Sequence, residues 1–218
     1  MDGFKSAIEH AINPQGHWLE ILDEGSALVA VAELPKASLQ KFMGFAEHIH
    51  KDIRLWTGTF GKIGIPPMKF GMGVTVGEFV GTASAPAAAS PAVAKISGAA
   101  ADNSMMLAKE FCANFGVQLA VEGDLARFGE HLQEWIDLDD IELAPVSGGA
   151  MVPKRIFTKL IEREEPEDIQ LLKSARKAFF QKDYADAKTK FDRLSRVKHL
   201  KRFAEIYLKR ISKLAPKT

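Results

Sequence analysis

The chain has 218 residues, 46% of them hydrophobic, and a formal net charge of +1; that is enough for one full core with an appendage and too apolar for disorder throughout. Its single cysteine, Cys112, excludes an internal disulfide, and without Cys-x-x-Cys or clustered His/Cys spacing there is no sign of structural zinc. The near-neutral charge conceals a division, because residues 188–218 carry 11 Lys/Arg against 2 acids while residues 1–187 carry 18 against 26.

From the N-terminus, MDGFKSAIEHAI lacks the basic start and apolar block of a secretion signal, and no stretch reaches about 18 apolar residues without a charge. A cytoplasmic protein without a membrane span is expected. Phe4, Ala7, Ile8, Ala11 and Ile12 have helical spacing, closed by Asn13-Pro14. Trp18 to Leu22 and Ala27 to Leu34 read as strands of a hairpin around Asp23-Glu24-Gly25-Ser26. Leu39, Phe42, Met43, Ala46, Ile49, Ile53 and Trp56 predict a helix over 36–56, about five turns at 3.6 residues each. Gly58, Gly61, Gly64 and Pro66-Pro67 predict a loop, MKFGMGVTVGEFVGT a strand, and Ala83 to Ala92 a loop or hairpin tip. Ser104 to Phe115 reads as helix, Val117 to Val121 as strand, Leu125 to Phe128 as a helical turn, and Trp135 to Leu143 and Arg155 to Ile161 as strands. From Glu167 onward only helix signals remain, with stripes Ile169/Leu172/Ala175/Phe179, Ala187/Phe191/Leu194 and Leu200/Phe203/Tyr207/Ile211. Strands stop near Glu164-Glu165-Pro166, so residues 1–163 and 164–218 are expected to form an α/β part and a helical extension.

The stretch KFGMGVTVGEFVGT at 69–82 has four glycines, and a phosphate loop is the first possibility to test. Such a loop needs Gly-x-x-x-x-Gly-Lys-Ser/Thr or Gly-x-Gly-x-x-Gly between strand and helix, so that backbone amides converge on the anion. Gly71, Gly73, Gly77 and Gly81 fit neither spacing and no helix signal follows directly. A strand whose glycines permit close approach remains.

PPMKFGMGVTVGEFVGT, then ISGAAADNSMMLAKEF, then FGVQLAVEGDLARFGEHLQEWIDLDDIELAPVSGGAMVPKRIFTKL together resemble the second half of a class III adenylate/guanylate cyclase catalytic domain. FKSAIEHAI and GHWLEILDEGSALVAVA resemble that family's helix and first hairpin, so the likeness covers residues 4–161 and lacks the family's first strand. It implies an α+β fold with a ferredoxin-like sheet and flanking helices, and head-to-tail homodimers. An unrelated α/β sandwich with glycines at strand bulges is the competing reading.

In that family two carboxylates hold metal ions that activate a ribose hydroxyl and clamp a triphosphate, while an Asn and an Arg on one helix orient the ribose and stabilise phosphate charge. By the resemblance, the first metal Asp belongs to the missing strand and Ser26 stands where the second should be. Serine supplies no negative charge to a hard dication. Asp23 and Glu24 are possible substitute carboxylates, though solvated turn acids are the simpler reading. Asn103 matches the ribose Asn, but Leu107 stands where the Arg belongs. Of the base-reading positions, Leu22 replaces a Lys and IELAPVSGG lacks the usual one. No catalytic residue, metal or other cofactor is therefore expected, with Mg or Mn implied only for an active cyclase.

His48 and His50, two apart on a helix, point to different sides and are expected on a solvated face; His10, His17, His131 and His199 are isolated. Cys112 reads as a core thiol. In the tail, Tyr184, Ala187 and Phe191 have a Tyr-x-x-Ala-x-x-x-Phe spacing that resembles one tetratricopeptide helical hairpin of about 34 residues, a protein-interaction motif. One such unit should pack on the α/β part or begin a longer array. The basic residues of the tail are expected to form a solvated face complementing the acidic body, ahead of nucleic-acid binding, because no stacking platform or groove-reading motif accompanies them. The sequence thus points to a catalytically inactive cyclase-like domain serving in dimerisation and protein interaction in bacterial signalling. A fragment or subunit of an active nucleotide cyclase and a nucleic-acid-binding adaptor are the alternatives.

Overall fold

The computed structural model of the chain describes residues 39–62, 64, 70–78, 80–83, 93–129, 134–143, 150–159, 166–198 and 200–214. The expected helix at 4–12, the hairpin of 18–34 and the stretch 84–92 lie outside the described residues. Helix α1, Leu39–Lys62, buries Met43, Ala46, Ile49 and Ile53 along one side. It continues through Gly58 and Gly61, where the sequence predicted a loop. An interior glycine costs a helix only about 1 kcal/mol, and the last turns are supported by the Thr59 hydroxyl, which donates to the Leu55 carbonyl at 2.9 Å.

The glycine-rich stretch is extended but is not one strand. Strand β1, Met72–Val74, runs parallel to β4, Leu119–Glu122, whereas β2, Val80–Ala83, pairs antiparallel with β3, Val93–Ser97, in a separate two-stranded sheet. Between β1 and β2 the chain bonds to a helix start instead of a strand neighbour. Thr75 Oγ1 donates to the Ala100 carbonyl at 3.0 Å, and Ala100 N donates to the Glu78 carbonyl at 3.3 Å.

That helix is α2, Ala99–Met106, continued by a π turn, Leu107–Phe111, and by α3, Cys112–Phe115, and it ends at Gly116 with φ 71°. It lies directly on β1. A Cβ on Gly71 would stand 2.1 Å from the Ala108 carbonyl oxygen, and one on Gly73 would stand 2.1 Å from that of Ser104. The glycines thus admit the chain's own helix, and the Ser104 hydroxyl donates to the Gly73 carbonyl at 2.8 Å across the seam.

After β4 come the short α4, Gly123–Ala126, and the hairpin of β5, Trp135–Leu143, and β6, Val152–Lys159. The main sheet has the order β1–β4–β6–β5, with β4, β6 and β5 antiparallel in turn. β6 begins three residues before its predicted start and includes Pro153, tolerated because it stands near the strand's end. A register shift between Asp137 and Asp139 inverts the alternation of β5. Ile136 before it, Leu138 within it, and Ile141 and Leu143 after it consequently belong to one core.

Pro166 opens α5, Pro166–Phe180, followed by α6, Tyr184–Leu194, and α7, Lys201–Leu214. Their predicted stripes are the ones buried: Leu172, Ala175, Ala187, Phe191, Leu194, Leu200, Phe203, Tyr207 and Ile211. These side chains share a single cluster with Leu107, Phe111, Phe115, Ile136, Leu138 and Ile156, so the helical extension packs on the sheet. Residues of the opposite β4 parity, Leu119 and Val121, meet Met43 and Ala46 of α1 in a second cluster. The architecture is mixed α/β of the α+β kind. Among the described residues, no helix is long and apolar enough to cross a membrane.

Candidate functional site

Of the positions singled out by the cyclase resemblance, Leu22, Asp23, Glu24 and Ser26 lie outside the described residues. Asn103 is buried on α2, and Leu107 opens the π turn with none of its surface exposed. Leu107 Cβ would come within 2.8 Å of a Cβ placed on Gly73, so this side of the helix is closed against β1. A wholly buried isobutyl group in a van der Waals seam can fill space but cannot meet a phosphate oxygen. Among the described residues, no group of three His, Cys, Asp or Glu side chains could hold a metal ion.

The tail positions fall in the interior of the helical layer. Ala187 and Phe191 are fully buried, and the Phe191 ring stacks on Tyr207 with centroids 4.8 Å apart. Tyr184 is half-buried and meets Phe179 edge-on at 5.9 Å. The small Ala187 is wholly buried on α6, which packs against α5.

Two other expectations can be placed. Cys112 is buried where α3 meets β1, its thiol pushed up to about 12 by desolvation, with Sγ donating to the Met72 carbonyl at 3.7 Å. It is a core thiol. His48 is exposed beside Asp52 at 3.4 Å, as a solvated-face residue should be, but His50 is not on that face. His50 is 2% exposed and its ring lies 5.7 Å from that of Phe70. Position i+2 on a helix turns by more than half a revolution, which carries His50 to the apolar side with Ile49 and Ile53.

The structure assembles two polar groups that the sequence did not reveal. At the end of β4, Glu122 is 3% exposed; Lys154 Nζ lies 2.8 Å from its Oε1, and Val76 N donates to its Oε2 at 3.3 Å. Lys154 also lies 2.9 Å from Asp124 Oδ2. Hydrogen bonding to Glu122 and then Asp124 raises the lysine pKa, and the bond from Lys154 lowers that of Asp124. The three line or adjoin an open depression of about 260 Å³ formed by Gly123, Asp124, Pro153, Lys154, Arg155 and Phe157. A lysine held protonated between two carboxylates is a tie between β4 and β6 and offers no base or nucleophile. The available signal was Glu122 directly after the apolar run Leu119 to Val121, a carboxylate at the end of a buried strand.

The second group joins the helical layer to β5. The buried Arg176 donates to the Asp137 carbonyl and lies 3.0 Å from the Asp137 carboxylate. Arg210 pairs with Asp139, and the Tyr207 hydroxyl donates to the Leu138 carbonyl at 2.8 Å. Both guanidiniums also lie over the Tyr207 ring, at 5.6 and 5.1 Å. Burial raises the Asp137 pKa against the opposing pull of Arg176 and Arg155, and burial likewise raises that of Tyr207. Asp137 Oδ1 and Arg176 Nη2 face each other as an ion pair without an aligned hydrogen bond, and the other contacts tie α5 and α7 to β5, so this arrangement fixes a joint.

Comparison of the chain with protein-family models, curated proteins and solved structures gives no match.

Proposed function

We propose that the chain is a catalytically silent, cyclase-homology-like module that acts by dimerising and docking a protein partner in signalling. The observation that carries this reading is the complete burial of Leu107 in the seam with β1. In a working cyclase the corresponding side chain is a cation facing phosphate, and a lost charge of that kind costs about a hundredfold or more in rate. The order of elements also favours the resemblance: a strand, a hairpin, a helix, a parallel strand, a short helix and a final antiparallel pair follow in the family's sequence. The ferredoxin-like sheet and the homodimer are parts of the same proposal. So is partner binding through the helical layer, which rests on the Tyr184, Ala187 and Phe191 hairpin.

The test is incubation of the full chain with ATP or GTP and manganese, alongside light scattering over a concentration series. No cyclic nucleotide and a dimeric mass are expected. Turnover that disappears in Asp23→Asn or Glu24→Gln, or a monomer at every concentration, would contradict the proposal.

A further inference from the structure

We infer that the elbow between α6 and α7 binds the phosphodiester backbone of a nucleic-acid duplex. Arg193, Arg196, Lys198, Lys201 and Arg202 crowd into this short turn, and all five are exposed. The described residues of the turn are joined by backbone hydrogen bonds. Ser195 N donates to Phe191 O at 2.9 Å, Arg196 N to Arg193 O at 3.1 Å, Val197 N to Leu194 O at 3.0 Å and Leu200 N to Val197 O at 3.0 Å. Leu194 and Leu200 are buried and Val197 packs against the same core. The apolar positions of the turn therefore point inward and the cations outward.

The sequence alone favoured a solvated face that complements the acidic body; in the structure some basic residues of the tail are paired, while Lys188, Lys209 and Lys213, like the elbow cations, are exposed and meet no carboxylate among the described residues. Arg210 is spent on Asp139 of β5 and Lys190 on Asp186 of its own helix. Lys201 reaches Glu205 only at 3.9 Å, with both side chains more than half exposed, and Arg202 gives Nε to the Asn114 carbonyl at 3.1 Å. Arg193, Arg196 and Lys198 have no carboxylate partner among the described residues. Cations without a carboxylate partner among the described residues, outnumbering the nearby acids Asp192 and Glu205, leave a net positive local potential.

The chemistry of the patch selects the partner. The large exposed apolar side chains among the described residues are Leu55, Val76, Val80, Met151, Val152, Phe180 and Leu214, and none lies in the elbow. Protein interfaces centre on aromatic and apolar anchors, and single-stranded nucleic acids are held on aromatic platforms. The elbow offers neither. Insertion into lipid needs a free apolar helix face, but that of α7 is buried through Phe203, Tyr207 and Ile211. Duplex phosphates are met by Arg and Lys alone, without base contacts. This inference is independent of the dimer and of the silent cyclase reading.

The experiment is anisotropy of a labelled DNA duplex of about 20 base pairs titrated with the full chain in a salt series. With about four phosphates neutralised, the slope of log affinity against log salt is expected near −3.6, an about 150-fold weakening between about 50 and 200 mM salt. Combining Arg193→Ala, Arg196→Ala and Lys198→Ala should reduce the slope by about 3, and the matching glutamine series should do the same. Lys51→Ala, an exposed cation on α1, should leave it unchanged. The inference is overturned by no binding at low salt, by binding indifferent to the elbow substitutions, by equal loss in Lys51→Ala, or by preference for polyglutamate or phosphatidylserine vesicles over the duplex.

Discussion

Gly73 and Gly58 have opposite roles in the fold. At Gly73 an added methyl would meet the Ser104 carbonyl oxygen at 2.1 Å, and a backbone atom cannot move aside as a side chain can. Gly73→Ala should therefore lower stability by about 3 kcal/mol, in the upper range for overpacking, read as a lower urea midpoint. At Gly58, inside α1, no atom of the described residues beyond the helix's own backbone lies within 4 Å of the added carbon. Gly58→Ala should raise stability by about 0.5 to 1 kcal/mol through helix propensity. The sequence pointed to glycines at 69–82 that permit close approach. It did not show that the approaching group was α2, because spacing along a strand carries no information about what crosses it. Cys112 was legible for the opposite reason, since its apolar helical neighbours defined the buried side.

Elements were read best where periodicity was long and worst at their ends. The stripes of α5, α6 and α7 were visible because each buried residue recurs at helical spacing, whereas the division of 72–83 into two strands depends on Thr75 and Glu78 bonding to the start of α2. The joint between α7 and β5 was invisible for the same reason: Tyr207 and Leu138 are distant in the chain. Tyr207→Phe leaves the buried Leu138 carbonyl without its donor and should cost about 1 to 2 kcal/mol, measured by thermal or chemical unfolding.

The joint and the β4–β6 tie respond to pH in opposite directions. Asp137 binds its proton more tightly in the folded state, so its contribution declines as pH rises from the unfolded carboxylate pKa through the higher folded one. Asp124 is depressed, so its contribution is present above the unfolded pKa and is lost as pH falls through the folded one. Asp124 is largely exposed, which keeps its part below about 1 kcal/mol. Asp124→Asn should accordingly flatten the acid limb of a stability profile slightly.

At the scale of the whole chain, the change of composition near residue 164 marks where strands give way to helices, while the core continues across it. Leu107, Phe111, Ile136 and Ile156 are covered by Leu172, Phe191 and Tyr207. A chain cut after residue 163 would expose that apolar face and is expected to aggregate, which sedimentation would detect. The proposed silent cyclase reading rests on the seam between the π turn and β1, where Leu107 is wholly buried at the position to which the resemblance assigns a phosphate-facing charge. The most direct measurement is therefore on Leu107→Arg, following unfolding and cyclic nucleotide formation from manganese ATP or GTP together. Burying an unpaired guanidinium there should cost about 3 to 5 kcal/mol with no cyclic product, whereas a variant as stable as the parent that forms cyclic nucleotide would contradict the account.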